Sequence, residues 1–92
     1  MDKGDRRLAR IEEEARNLLY KLLSNRGRFF DNYGRLNSDG MRLFTRVIRI
    51  LKEVNTVPST SLDKARRDPT IERIARLLLL VDEEQTDGDR MH

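Results

Sequence analysis

Apolar residues recur at steps of three and four from Asn37 to Val54, NSDGMRLFTRVIRILKEV, and the rest of the chain is arranged around this stretch. Met41, Phe44, Val47 with Ile48, Leu51 and Val54 share one face of a helix at about 3.6 residues per turn. Leu43 and Ile50 widen the stripe to a second flank, which predicts neighbours on two sides. Ser38 or Asn37 can accept hydrogen bonds from the first free backbone N–H groups, and Asp39 suits the positive end of the helix dipole. Pro58 disfavours helical geometry at Val57 and so marks the end.

The same period recurs on either side. In DRRLARIEEEARNLLYKLLSN, with Asp5 as the expected cap, Leu8, Ile11, Ala15, Leu18 and Leu22 form a seam that Leu19 and Leu23 broaden. It lasts about two heptads, short of the ~3–4 of an independent coiled coil, so it predicts packing within a domain. After Pro58, STSLDKARR predicts a short helix capped by Ser59 or Thr60. Asp68-Pro69 then reads as a start signal for a helix from Thr70 to about Glu84. On it Ile71, Ile74, Ala75, Leu78 and Val81 make one face, while Leu77, Leu79 and Leu80 make LLLLV apolar nearly all round. The fold class that follows is all-α: a small helical bundle of three main helices plus one short helix, one domain over residues 1–81. DEEQTDGDRMH has no apolar period and reads as a disordered acidic C-terminal tail over 82–92.

The irregular stretch is SNRGRFFDNYGRLNSDG, punctuated by Gly27, Gly34 and Gly40 and by Asn25, Asn32 and Asn37. It holds Phe29, Phe30 and Tyr33, three of the chain's five aromatic residues. A loop this long in a small domain packs or binds. Two readings stand: Phe29 and Phe30 plug the end of the bundle on a short helical turn, or Arg28, Phe29, Phe30, Tyr33 and Arg35 form a recognition loop. Rings interleaved with arginine can stack on bases or grip a peptide.

Charge alters the picture more than composition does. The net charge of +3 hides a basic middle, since residues 16–80 carry fourteen Lys/Arg against six Asp/Glu, while 81–92 carry one against five. The middle favours phosphates, acidic peptides or anionic lipid, and the tail can screen it in cis. Arg42, Arg46 and Arg49 follow helical spacing, and with Arg66, Arg67, Arg73 and Arg76 they make a candidate basic face. Arginine outnumbers lysine fifteen to four, which suits bidentate contacts with phosphate and carboxylate. Ser59-Thr60-Ser61 beside these cations reads as turn chemistry or as a phosphorylation site.

Chemistry of other kinds is not written here. There is no cysteine, and the one histidine is the last residue, His92, so no Ser-His-Asp or Cys-His site can assemble. Glu12, Glu13 and Glu14 point in successive directions around a helix, and no phosphate-cradling glycine motif occurs. No enzyme activity, metal or cofactor is expected. No apolar run approaches the ~20 residues of a membrane span, and the lack of cysteine favours an intracellular location, cytoplasmic or nuclear.

LDKARRDPTIERIARLLLLVD resembles the last helices of phage-repressor-type helix-turn-helix domains, which implies nucleic-acid binding. DRRLARIEEEARNLL, followed by a helix that ends before VPST, is similar in order to the transcription-elongation-factor N-terminal domain and its integrase-binding relatives. That resemblance implies a helical bundle that binds short disordered peptides. Two functions are therefore expected. One is a regulatory or adaptor module that docks an acidic or amphipathic segment of a protein partner through an apolar face with an arginine rim. The alternative is a small nucleic-acid binder that sets Arg42, Arg46 and Arg49 on phosphates. Leu77, Leu79 and Leu80 are the expected interface of a homodimer.

Overall fold

Asn37 starts the central helix. Its side-chain oxygen accepts a hydrogen bond from the Gly40 N–H at 2.8 Å, with Asp39 in the first turn. The computed structural model describes the backbone of residues 2–55 and 57–90 and the side chains of 10–55 and 57–82. Within them five helices follow in order: α1 (Asp2–Ser24), α2 (Arg26–Phe29), α3 (Ser38–Val54), α4 (Ser59–Arg67) and α5 (Ile71–Arg90). The all-α bundle expected from the periodicity is the fold. No helix among the described residues is long and apolar enough to cross a membrane.

The end of α3 is set differently from the expectation. Asn55 takes the left-handed conformation (φ 58°) and its N–H closes on the Leu51 carbonyl at 3.0 Å, so the helix stops before Pro58 acts on it. Pro58 instead sits at the N-cap of α4, where its carbonyl accepts from Ser61 and Leu62 N–H; no side chain caps this helix, neither Ser59 nor Thr60. The start of α5 is also displaced. Thr70 caps it, its hydroxyl accepting from the Arg73 N–H at 3.2 Å, which leaves the Asp68 carboxylate free for other partners.

Each helix buries the stripe its period predicts, with small rotations. On α3, Phe44, Val47, Ile48, Ile50 and Leu51 are buried, and Met41, Leu43 and Val54 are packed against them. On α1 the sealed positions are Ala15, Leu19 and Leu22, with Ile11, Leu18 and Leu23 half-buried; the buried edge has turned far enough to draw in Glu12. Leu8 and the expected cap Asp5 lie outside the described side chains. On α5 the buried face is Ile74, Leu77, Leu78 and Val81, while Ile71 and Ala75 are only half-buried. A run that is apolar all round cannot choose its own face; its neighbours choose it. α1 packs along both α3 and α5, and α4 leans on α3 and α5 in turn.

The stretch between α2 and α3 is tied down. Asp31 N–H bonds the Arg35 carbonyl (2.7 Å), Asn37 N–H the Phe29 carbonyl (2.9 Å), Leu36 N–H the Pro69 carbonyl (3.0 Å) and Ile71 N–H the Gly34 carbonyl (3.0 Å). The Asp31 side chain accepts from Tyr33 and Arg35 N–H, and Gly34 supplies the positive φ of +77° that closes the turn. α5 runs to Arg90, past the expected end near Glu84. Asp82, the first residue of the expected tail, accepts a hydrogen bond from the Tyr20 hydroxyl at 3.0 Å and pairs with Arg16 at 3.7 Å, so it belongs to the folded domain. The expected disorder of the tail, Asp82 aside, falls on residues whose side chains lie outside those described.

Candidate functional site

The two faces of α4 border open concavities. On α3 the positions Met41, Phe44, Thr45, Ile48, Arg49 and Lys52 run along one side of a groove of about 300 Å³, and Arg66 of α4 lines it with them. Phe44 and Ile48 are buried and Met41 half-buried, so the floor is apolar; Thr45, Arg49, Lys52 and Arg66 are exposed. On α4's other flank Ser61, Lys64 and Ala65 meet Arg73, Arg76, Leu77 and Leu80 of α5 around a smaller groove of about 160 Å³. Among the described residues, no carboxylate lines either groove. α4 is thus a ridge between two concave surfaces, both rimmed by cations.

The seven arginines of the predicted basic face border different concavities or none. All seven are exposed, but they part company according to what their helices face. Arg49 and Arg66 line the α3–α4 groove, and Arg73 and Arg76 line the α4–α5 groove. Arg46 turns towards α1 and pairs with Glu14 at 2.6 Å. Arg42 and Arg67 line neither groove. Lys52 and Lys64, by contrast, stand at the grooves without having been singled out as site residues, and Ser61, read from the sequence as turn chemistry or a phosphorylation site, lines the α4–α5 groove. The signal for Lys52 was present: it follows Arg49 by three and Ile48 by four, on the same side of α3.

The aromatic loop resolves in favour of the plug. Phe29 and Phe30 are 4% and 6% exposed, so neither ring can stack on a ligand. Arg28 lies over the Phe29 ring, 5.6 Å from its centre. Arg35 bonds Asp68 at 2.7 Å, and the same carboxylate takes the Arg73 Nε–H at 3.2 Å. Only Tyr33, at 87% exposure, presents its ring to solvent. The recognition-loop reading of Arg28, Phe29, Phe30, Tyr33 and Arg35 is corrected accordingly: the backbone bonds of the loop turn its two phenylalanines inward.

The leucine run is corrected too. Leu77 is 2% exposed and belongs to the core, Leu80 is half-buried at the α4–α5 groove, and Leu79 alone is exposed, at 61%. A single leucine falls far short of the ~800 Å² per partner of a stable interface. The run therefore supplies no dimer face of that size.

Away from the grooves, the pKa of Tyr20 is raised above its ordinary value of 10.0 by its hydrogen bond to Asp82 and by that carboxylate's charge. Comparison with known proteins gives no match to a family model, a curated protein or a solved structure.

Proposed function

We propose that the protein is a non-enzymatic helical binding module that docks an acidic, amphipathic segment of a protein partner in the α3–α4 groove. The observation that carries this reading is the groove's lining: a floor of Met41, Phe44 and Ile48 under Arg49, Lys52 and Arg66. An apolar side chain of the partner would seat on the floor, and carboxylates beside it would meet the arginines. The volume of about 300 Å³ lies at the lower limit for a small-molecule pocket. An open groove of that size suits one anchoring side chain of a longer segment. The rim charges set partner choice and association rate more than affinity, and the buried floor supplies the contact area. A phosphate backbone would have no use for that floor, and this is why the protein partner is preferred over nucleic acid.

The test uses a labelled acidic peptide with leucine at helical spacing, and a scrambled peptide of the same composition. Fluorescence anisotropy is expected to show binding of the first only, with NMR shifts at Met41, Phe44 and Ile48. Arg49→Glu with Arg66→Glu is expected to weaken it by about tenfold or more and to restore binding to a basic version of the peptide. Equal binding of the scrambled peptide, or none of either, defeats the reading. If the chain instead binds generic duplex DNA with a log–log salt slope of about −0.9 per phosphate, and Arg42, Arg46 and Arg49→Gln flattens it, the nucleic-acid alternative replaces it.

A further inference from the structure

We propose that the smaller groove, between α4 and α5, is a binding site for a phosphate monoester. It stands on different residues from the peptide groove and does not depend on that reading. Ser61 and Lys64 face it from α4, and Arg73 and Arg76 face it from α5. Its floor is Ala65 and Leu77, 3% and 2% exposed, with Leu80 beside them. Three cations and a hydroxyl thus border one concavity over apolar ground, and charge-assisted hydrogen bonds from them to an anion are the stronger kind.

The donor set selects the ligand. Lys64 offers three N–H donors, Arg76 five, Arg73 those its partner does not take, and Ser61 a hydroxyl. A carboxylate has two oxygens and a single charge to set against them. A phosphate monoester has three terminal oxygens and about −1.5 to −2 charges at neutral pH. The groove, of about 160 Å³, has room for a phosphate group.

One arginine is already held in place. Asp68 takes the Arg73 Nε–H at 3.2 Å and leaves the terminal nitrogens of that guanidinium free of it. The charge of Asp68 is answered in turn by Arg35 at 2.7 Å. Asp68 and Glu72 border a neighbouring depression that shares Arg73 and Arg76, so a dianion is favoured on the α4 side, against Ser61 and Lys64, and disfavoured on the other.

The experiment titrates the isotope-labelled full chain with inorganic phosphate at constant ionic strength, chloride being exchanged for it. Saturable NMR shifts are expected at the Arg73 and Arg76 side-chain N–H groups and the Ser61 and Lys64 amides. With O-phosphoserine as the titrant the shifts are expected to weaken as pH falls through ~6, where its second phosphate proton returns. Arg76→Gln, an exposed position, is expected to reduce affinity about tenfold with unchanged circular dichroism. Two further arms identify the source. O-phosphoserine competing at the same resonances, with no binding to phosphatidylcholine vesicles containing phosphatidic acid, assigns a soluble monoester. Vesicle binding that Arg76→Gln removes assigns a lipid headgroup. Shifts that never saturate, that spread equally to Arg42 and Arg67, or that survive Arg76→Gln unchanged reduce the effect to ionic screening and overturn the site.

Discussion

The segment 30–37 and helix α4 invert what their sequences suggest. The first is irregular, rich in Asn and Gly, yet it is held by backbone bonds to α2 and to the α4–α5 junction and buries Phe30 and Leu36. The second has regular helical text, yet it buries only Leu62 and Ala65, has no side-chain cap and stands between two open grooves. Regular backbone and firm packing are separate properties. A helix satisfies its own hydrogen bonds and can be left loosely covered, whereas an irregular segment must find partners for its N–H and C=O groups elsewhere. Those partners tie it to the core. The loosely covered helix is then the element left to offer surfaces.

The largest expected effect separates the two regions directly. Phe30→Ala removes a ring that is 6% exposed and is expected to cost about 3–5 kcal/mol in urea unfolding. Ser61→Ala on α4 is expected to stay within about 0.5 kcal/mol of the parent. Similar losses from both would break the comparison. Next in size is Gly40→Ala. A Cβ there would lie 2.5 Å from the Phe29 carbonyl oxygen and 2.6 Å from Leu36 Cδ2, and the backbone atom cannot simply retreat. The expected cost is about 1–3 kcal/mol despite the better helix propensity of alanine; a rise in the melting temperature would show that α2 moves freely against α3.

Asp68→Asn tests the joint between the regions. It removes the carboxylate that holds Arg35 of the loop and Arg73 of α5. The groups are about half exposed, so screening limits the expected loss to at most about 1 kcal/mol, largest at low salt. No dependence of that loss on salt would mean that the pairs contribute shape and not charge.

The inversion also explains which parts of the molecule the sequence discloses. Asn37 and the stripe of α3 are legible because both are local: a cap acts within one turn, and a helical period needs no knowledge of neighbours. Asp68 obeys a local rule as well, as a carboxylate before proline, but Thr70 caps α5 instead, and the carboxylate is taken by Arg73 close by and by Arg35, 33 residues away. The burial of Phe30 rests on Leu36 bonding Pro69 and Gly34 bonding Ile71, pairings more than thirty residues apart that leave no periodic trace. The arginines show the same limit. Spacing places Arg42, Arg46 and Arg49 on one side of α3, but α1 claims Arg46 while Arg49 faces the α4 groove. What a helix says of its own face is readable, and what its neighbours do with that face is not.

The smallest effect lies on the α1–α5 seam, outside both regions, and checks that α5 is fixed where the comparison assumes. The Tyr20 hydroxyl donates to Asp82 at 3.0 Å. Ionising the phenol would remove that donor and set a second negative charge beside the carboxylate, so the folded pKa is raised above 10.0. A raised folded value means that the stabilisation is fully present below the ordinary tyrosine pKa and is lost as pH climbs through the raised one. Stability is therefore expected to be insensitive to this group near neutrality and to decline only above about pH 10. Tyrosinate absorbance read against pH gives the midpoint, with Tyr20→Phe used to assign the signal. Asp82→Asn is expected to move that midpoint down towards 10.0, because the charge that opposes ionisation is gone. A midpoint that Asp82→Asn leaves in place would detach Asp82 from α1. The start of the acidic segment would then lie outside the folded domain.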